Sequence, residues 1–354
     1  MAHDLQATAA SLVLKGKGIL AADETVTTLT RRFDALGITS TEQSRRTYRE
    51  MLFTASGAAA FISGVIMHDE TIRQASASGV PLPKVLANQG ILPGIKVDTG
   101  AKVLAGSPDE TVTEGLDGLR DRLREYHTLG ARFAKWRAVI HITDTLPSRT
   151  CVRVNAHALA RYAALCQEQG LVPIVEPEVL MDGSHTIERC EDVTGTVLQT
   201  VFNALIEQRV VLEAMLLKPN MVIAGKDCGA SCSVHDVATA TLRCLRRHVP
   251  AAVPGIVFLS GGQDERLATQ HLNAINQLPG SRPWPISFSY GRALQDPALE
   301  AWHGRDENLD AGRKALHQRA RCNGAASSGT YTDDMELTAS AAEASPHRRE
   351  WHDD

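Results

Sequence analysis

The 354-residue chain has little aromatic side chain, only 5% of the total, and no excess of either charge. Its 37 Lys and Arg stand against 41 Asp and Glu, a formal net charge of −4. That balance excludes a nucleic-acid surface built on bulk basicity and leaves only a local basic pocket for an anionic small molecule. Long apolar runs are missing as well. The longest uncharged stretch, Met51 to His68, is broken by Ser, Thr and Gly, whereas a membrane helix needs about 20 predominantly apolar residues. It reads as the end of a helix followed by a buried strand, and no membrane association is expected. The opening residues MAHDLQATAASLVLKGKG lack the basic and apolar regions of a secretory signal. Seven scattered cysteines, an odd number, make no disulfide framework and fit a reducing compartment. A cytoplasmic location is expected.

Metal and nucleotide signatures are scarce too. No H-E-x-x-H is present, and the Cys228-x3-Cys232 pair near His235 lacks a second pair at zinc-ligand spacing. No metal and no cofactor are expected.

What the chain does have is alternation. Apolar runs of strand length occur at 18–23, 61–67, 91–97, 133–140, 171–179, 211–217, 256–260 and 285–290. Most are separated by stretches of helical period. Ser40 with Gln43, and Thr111 with Glu114, stand at capping-box spacing. Leu116, Leu119, Leu123 and Tyr126 share one helical face, as do Leu159, Tyr162, Ala163 and Cys166, and then Val193, Val197, Val201 and Leu205. Gly170 stops the second of these helices, and Ser233 opens a later one. Strict strand–helix alternation predicts a parallel sheet covered by helices. Eight units suit a closed (β/α)8 TIM barrel, an α/β fold. The rival is an open doubly wound sheet, which the absence of G-x-G-x-x-G after the first strand weakens. The barrel is expected over residues 1–323. From Gly324 the chain becomes rich in Ala, Ser and charge, so a flexible, mobile C-terminal tail is expected over 324–354.

In a barrel, polar residues at the C-terminal ends of strands face the active-site mouth. Those ends supply Asp23, Lys96, Lys135, Arg137, Glu176, Glu178, Lys218, Ser260, Ser289 and Arg292. Lys218, closing an apolar strand before Pro219, is poorly placed as a solvated surface group. A lysine that loses solvation or lies near another cation, such as Lys135, is pulled toward the neutral form, and the neutral amine attacks carbonyls to give a Schiff base. The alternative is a buried ion network pairing the lysines with Glu176, Glu178 or Asp23. Glu176 and Glu178 lie on one side of their strand, where two carboxylates raise one another's pKa and divide acid and base work. FLSGGQ and SYGRAL follow the last two strands, where many barrels bind phosphate. Glycine there lets backbone N–H groups approach an anion, and Arg292 adds charge. A pyridoxal-phosphate barrel uses the same two features, a lysine imine and a phosphate cradle, and a scaffold protein that had lost activity would carry damaged catalytic positions.

Taken in order, GILAADE, GIKVD, AGSPDETVTEGLDGL, FAKWR, VPIVEPEV, LLKPNMV, FLSGGQ and SYGRALQ resemble the class I fructose-bisphosphate aldolases over about nine tenths of the chain. The resemblance implies reversible cleavage of fructose 1,6-bisphosphate to dihydroxyacetone phosphate and glyceraldehyde 3-phosphate, in glycolysis and gluconeogenesis. It implies Lys218 as the Schiff-base lysine, Glu176 as general acid/base with Glu178 beside it, and Lys135 and Asp23 completing the catalytic set. Ser260, Gly261, Gly291 and Arg292 match the site for the phosphate nearest the ketone. Lys96, Arg137 and Arg32 match residues placed toward the other phosphate, and Thr25 and Thr28 keep hydroxyls for it. No metal or cofactor is implied, the partner is a small sugar phosphate, and a homotetramer is the family habit. Two departures stand out. Thr27 replaces the usual glycine of the loop after AADE, and the chain ends Trp351-His352-Asp353-Asp354 where many members carry a tyrosine.

Overall fold

Strands covered on both faces have no solvent side, so they read as continuous runs of Ile, Val, Leu, Ala and Phe rather than as alternations. Eight such runs close into a barrel in the computed structural model, which describes residues 2–230 and 232–341. They are β1 (Gly18–Ala22), β2 (Ile62–Met67), β3 (Leu92–Lys96), β4 (Phe133–Ile140), β5 (Val172–Val179), β6 (Leu216–Leu217), β7 (Ile256–Phe258) and β8 (Ile286–Tyr290). Each pairs in parallel with its sequence neighbours, and β8 returns to β1 through Ile19 opposite Ser289. The (β/α)8 architecture is that of a TIM barrel.

The inner layer follows from the two-residue period of strands. Ile19 and Ala21 of β1, Ile66 of β2, Phe133 of β4, Ile174 of β5 and Leu216 of β6 point inward together. A helix at the N-terminus, α1 (Ala2–Leu12), sets Leu5, Ala9 and Leu12 against them and fills the floor of the barrel. The sequence gives little sign of this helix. Burying Leu5 and Leu12 there contributes about 1.5–3 kcal/mol each. Gly94 is required beside them, because a Cβ at that position would lie 2.2 Å from the Phe133 ring.

Most outer helices begin where a side chain replaces a missing intrahelical partner. Thr25 caps α2 (Val26–Asp34), Ser148 caps α7 (Arg149–Glu168), Thr186 caps α8 (Ile187–Glu207) and Asp264 caps α10 (Glu265–Gln277). Ser233 opens α9 (Val234–His248) with a full capping box through Asp236. The inward faces expected at Leu159, Tyr162, Ala163 and Cys166, and at Val193, Val197, Val201 and Leu205, are buried. Gly170 follows α7 at φ 76°.

Several expectations are corrected. The helix α3 (Glu42–Phe53) is capped by Thr41 with Ser44 rather than by Ser40 with Gln43. The Ser44 hydroxyl accepts from the Thr41 N–H at 2.8 Å, whereas the Ser40 hydroxyl is taken up by Thr30. Thr111 and Glu114 cap nothing. They lie in an antiparallel hairpin of Gly100–Leu104 with Ser107–Glu114, where the Thr111 and Thr113 hydroxyls donate to the carbonyls of Val139 and Arg137. The helix α6 (Leu119–Thr128) starts only after Gly118 at φ 65°. The run at 211–217 is mostly a 3-10 turn, leaving two residues in β6.

The boundary at Gly324 is also displaced. The helix α12 (Leu309–Ala326) runs through it, because Gly324 sits against the Gly16 carbonyl and Phe61, where a Cβ would come within 2.6 and 2.9 Å. Beyond it Tyr331 is buried, with its N–H donating to Asn273 Oδ1 at 3.0 Å. A further helix, α13 (Asp334–Ala341), is clamped by Arg319 to Glu336 at 2.6 Å. The remainder of the expected tail, 342–354, lies outside the described residues. Among the described residues no helix is long and apolar enough to cross a membrane. All seven cysteines are free.

Candidate active site

The inward parity that packs the floor continues to the C-terminal ends of the strands, where it turns polar. Two residues beyond Ala21 comes Asp23; beyond Gly94 comes Lys96; beyond Phe133 come Lys135 and Arg137; beyond Ile174 come Glu176 and Glu178; beyond Leu216 comes Lys218. Register brings them level, with Lys96 opposite Lys135 and Arg137 opposite Glu176. Every residue expected at the mouth from β1 and from β3 to β6 is found in this ring.

At its centre is an alternating chain of charges. Lys135 Nζ lies 2.6 Å from Asp23 Oδ2 and 3.3 Å from Glu176 Oε2, and Lys218 Nζ lies 3.1 Å from Glu176 Oε1. Lys135, Glu176 and Lys218 are each 3–4% exposed. Charges buried this deeply persist because each has an opposite neighbour. Burial alone would push the Asp23 carboxyl up, but Lys135 and then Lys218 outweigh it and hold Asp23 well below the carboxylate range. The same two lysines, helped by Arg137, overcome burial at Glu176 and lower it too. Burial disfavours the charge on Lys135, yet Asp23 and Glu176 hold its pKa above that of an ordinary lysine. This corrects the expectation of a raised Glu176. The two glutamates take different partners: Glu176 sits between the lysines, and Glu178 accepts from the Arg137 guanidinium. The buried ion network and the mouth lysines are one arrangement, not alternatives.

Lys96 Nζ donates to the Asp98 carbonyl at 2.8 Å and to its carboxylate. Ser260 is buried just past β7, followed by Gly261 and Gly262 at φ 62° and 84°. A Cβ on Gly262 would lie 3.0 Å from Arg292 Nη2 and 3.5 Å from Lys226 Nζ. Two cations therefore converge on a glycine turn that only residues without a Cβ adopt readily. Beside it, Gly291 begins α11 (Arg292–Trp302) with no side-chain cap, leaving a helix N-terminus free for an anion. Ser289 is 1% exposed and inward, and its hydroxyl has no hydrogen-bond partner among the described residues.

The region after β1 differs from expectation. Thr25 spends its hydroxyl on the Thr28 N–H at 3.2 Å, and the two hydroxyls lie 3.0 Å apart. Arg32 is held by Glu24 and Asp296, each at 2.6 Å, away from the central ring. Glu24 is a hub, also accepting from Arg49 at 2.8 Å and Gln295 at 2.8 Å.

Two mouth residues were passed over in the sequence. Lys226 lies in a loop with no periodicity to mark it. His68 follows β2, two residues beyond the inward Ile66, and was hidden because the apolar run ends one residue before it. Among the described residues no group of three or more His, Cys, Asp or Glu could hold a metal ion.

A family model for fructose-bisphosphate aldolase class-I matches residues 4–350. A protein of Xanthomonas campestris named "Probable fructose-bisphosphate aldolase class 1" is 56% identical over 330 residues, covering 93% of this chain and 98% of the relative. The cytosolic fructose-bisphosphate aldolase 4 of Arabidopsis thaliana is 52% identical, covering 97% and 87%. A solved structure of fructose-bisphosphate aldolase from Plasmodium falciparum, in complex with TRAP and a small-molecule inhibitor, superposes with a TM-score of 0.92. It is 50% identical and covers 94% of this chain and 96% of its own.

Proposed function

The chain belongs to the class I fructose-bisphosphate aldolase family, metal-independent lyases, and from that premise we propose that it cleaves fructose 1,6-bisphosphate through a Schiff base on Lys218. The observation that carries this reading is the single carboxylate of Glu176 shared between two buried lysines.

The contact of 3.1 Å between Lys218 and Glu176 is a proton path. Passing the ammonium proton to Glu176 leaves a neutral amine beside a carboxylic acid, and the amine attacks C2 of the ketose. Glu176 then returns the proton to the carbinolamine hydroxyl, which leaves as water, giving a protonated imine. That imine accepts the electron pair released when C3–C4 breaks. Asp23, kept ionised by Lys135, takes the C4 hydroxyl proton, so the far half departs as glyceraldehyde 3-phosphate. The proton that Asp23 took returns to C3 of the resulting enamine, and addition of water to the imine releases dihydroxyacetone phosphate and regenerates Lys218 as the ammonium. Lys135 stays charged throughout and keeps the two carboxylates from repelling.

Ser260, Gly261, Gly291 and Arg292 cradle the phosphate nearest the ketone, with Lys226 as a second cation. Lys96 and Arg137 receive the other phosphate, and Thr25 and Thr28 border it. Arg32 would exchange one of its two carboxylates to join them. The reaction belongs to glycolysis and gluconeogenesis, and the named cytosolic relatives support a cytoplasmic location. A homotetramer, by family habit, is the assembly to test by sedimentation.

Borohydride reduction in the presence of dihydroxyacetone phosphate, followed by peptide mass mapping, should label Lys218. An unlabelled Lys218, or loss of activity in EDTA, would refute the imine mechanism.

A further inference from the structure

Seven of the eight strands end in a polar group that the proposed reaction uses; β2 ends in His68, which it does not. Met67 is the register partner of Ala22 on β1 and of Ile95 on β3. One step further, His68 stands level with Asp23 on one side and Lys96 on the other. Its backbone continues the strand at φ −93° and ψ 160°, so its side chain shares the inward parity of Ile66. The order of the ring adds a second fact. With eight strands closed in sequence order, β2 lies four strands from β6 in either direction, so His68 stands across the mouth from Lys218. A ketose fixed to Lys218 at C2 extends its far half toward that wall.

We propose that His68 is a substrate-contacting residue that donates a hydrogen bond to the phosphate on the half of the sugar that leaves as the aldehyde. The inference rests on the aldolase reading and deepens it. The tautomer follows from the local contacts. His68 Nδ1 caps the short helix α4 (Asp69–Ile72) by accepting the Glu70 N–H at 3.4 Å, which leaves the ring proton on Nε2. Among the described residues nothing bonds to Nε2, and the ring is half-buried. Burial lowers the pKa of the imidazole, and Arg49 and Lys96 lower it further against the opposing pull of Asp23 and Asp69. A neutral donor in a positive surrounding suits a phosphate that the cations have already drawn in.

Two variants separate capping from recognition. In His68→Asn a short side chain keeps the cap, since Asn is a favoured N-cap, but nothing stands at the Nε2 position. In His68→Gln a donor is returned near that position. The measurement is kcat/KM for fructose 1,6-bisphosphate against fructose 1-phosphate, which lacks the second phosphate. His68→Asn should lower the value for the bisphosphate by at least about tenfold and that for the monophosphate by less than about twofold, mainly through KM. His68→Gln should recover most of the loss. Equal losses on both substrates, or an unchanged ratio, would overturn the assignment while leaving the aldolase reading intact. A wild-type protein that cleaves neither substrate would overturn the reading on which it rests. Trapping of dihydroxyacetone phosphate on Lys218 should be unchanged in His68→Asn; a lost trap would mean a disturbed ring and would also overturn it.

Discussion

Replacing Lys135 by Met removes the cation that, among the described residues, touches both carboxylates of the proposed catalytic set. Its Nζ lies 2.6 Å from Asp23 and 3.3 Å from Glu176. At an effective dielectric constant of about 20, those separations correspond to attractions of about 6 and about 5 kcal/mol. A carboxyl pKa moves by one for each ~1.4 kcal/mol, so each could rise by as much as about 4. Burial, which already opposes ionisation at both groups, then acts with less opposition. In the proposed mechanism Asp23 works in its ionised form. Its lowered pKa in the native protein keeps it ionised as pH falls, whereas in Lys135→Met activity should disappear as pH drops through the raised value. The assay is the pH dependence of kcat/KM for fructose 1,6-bisphosphate from about pH 5 to 9. We expect a general loss of about 10²- to 10⁴-fold and an acid limb moved upward into the assayed range. Trapping of dihydroxyacetone phosphate at the alkaline end checks that the barrel is intact. A variant profile that is lower but parallel, with its acid limb unmoved, would show that Lys135 does not hold Asp23 ionised.

Glu24→Gln should destabilise the fold by about 3–5 kcal/mol, since it takes the carboxylate from Arg49, which is 2% exposed; denaturant unfolding of Glu24→Gln and of the double variant with Arg49→Met, which should recover most of the loss, checks it. Arg49 and Arg32 overcome burial to hold the Glu24 carboxyl below its unfolded value. Its contribution is therefore present above the ordinary carboxylate pKa and lost as pH falls through the lowered one, and Glu24→Gln should flatten that acid-side slope. Arg292→Ala should raise KM for the ketose phosphate by about 10- to 100-fold, with inhibition by inorganic phosphate weakened in parallel.

The strands were legible because the barrel buries them on both faces, leaving runs such as FISGVIM and LVPIVEPEV with no solvent side. The mouth was legible for a related reason: an ionisable residue inside such a run is costly unless paired or used, which marks Lys135, Glu176 and Lys218. What the sequence concealed lay where that contrast fails. His68 stands one residue past its apolar run, in a segment that also reads as a helix cap. The hairpin strand Ser107–Glu114 is half exposed, so its Thr and Glu residues mimic a capping box. Gly324 lies inside a helix and is followed by Ala and Ser, a composition that suits a helix packed on a barrel as well as a tail. The pKa directions could not be foreseen, because they depend on which carboxylate reaches which lysine, and register decides that only when the ring closes.

The helix that fills the floor of the barrel makes the site a vessel with one opening. With Leu5, Ala9 and Leu12 seated against the inner strands, the floor of the barrel is apolar, while the ionisable groups around Lys218 gather at the opposite end. An imine survives as long as water is kept from it. On the proposed mechanism, a phosphorylated product lodged at the rim would act as a cork, protecting the covalent intermediate until it departs.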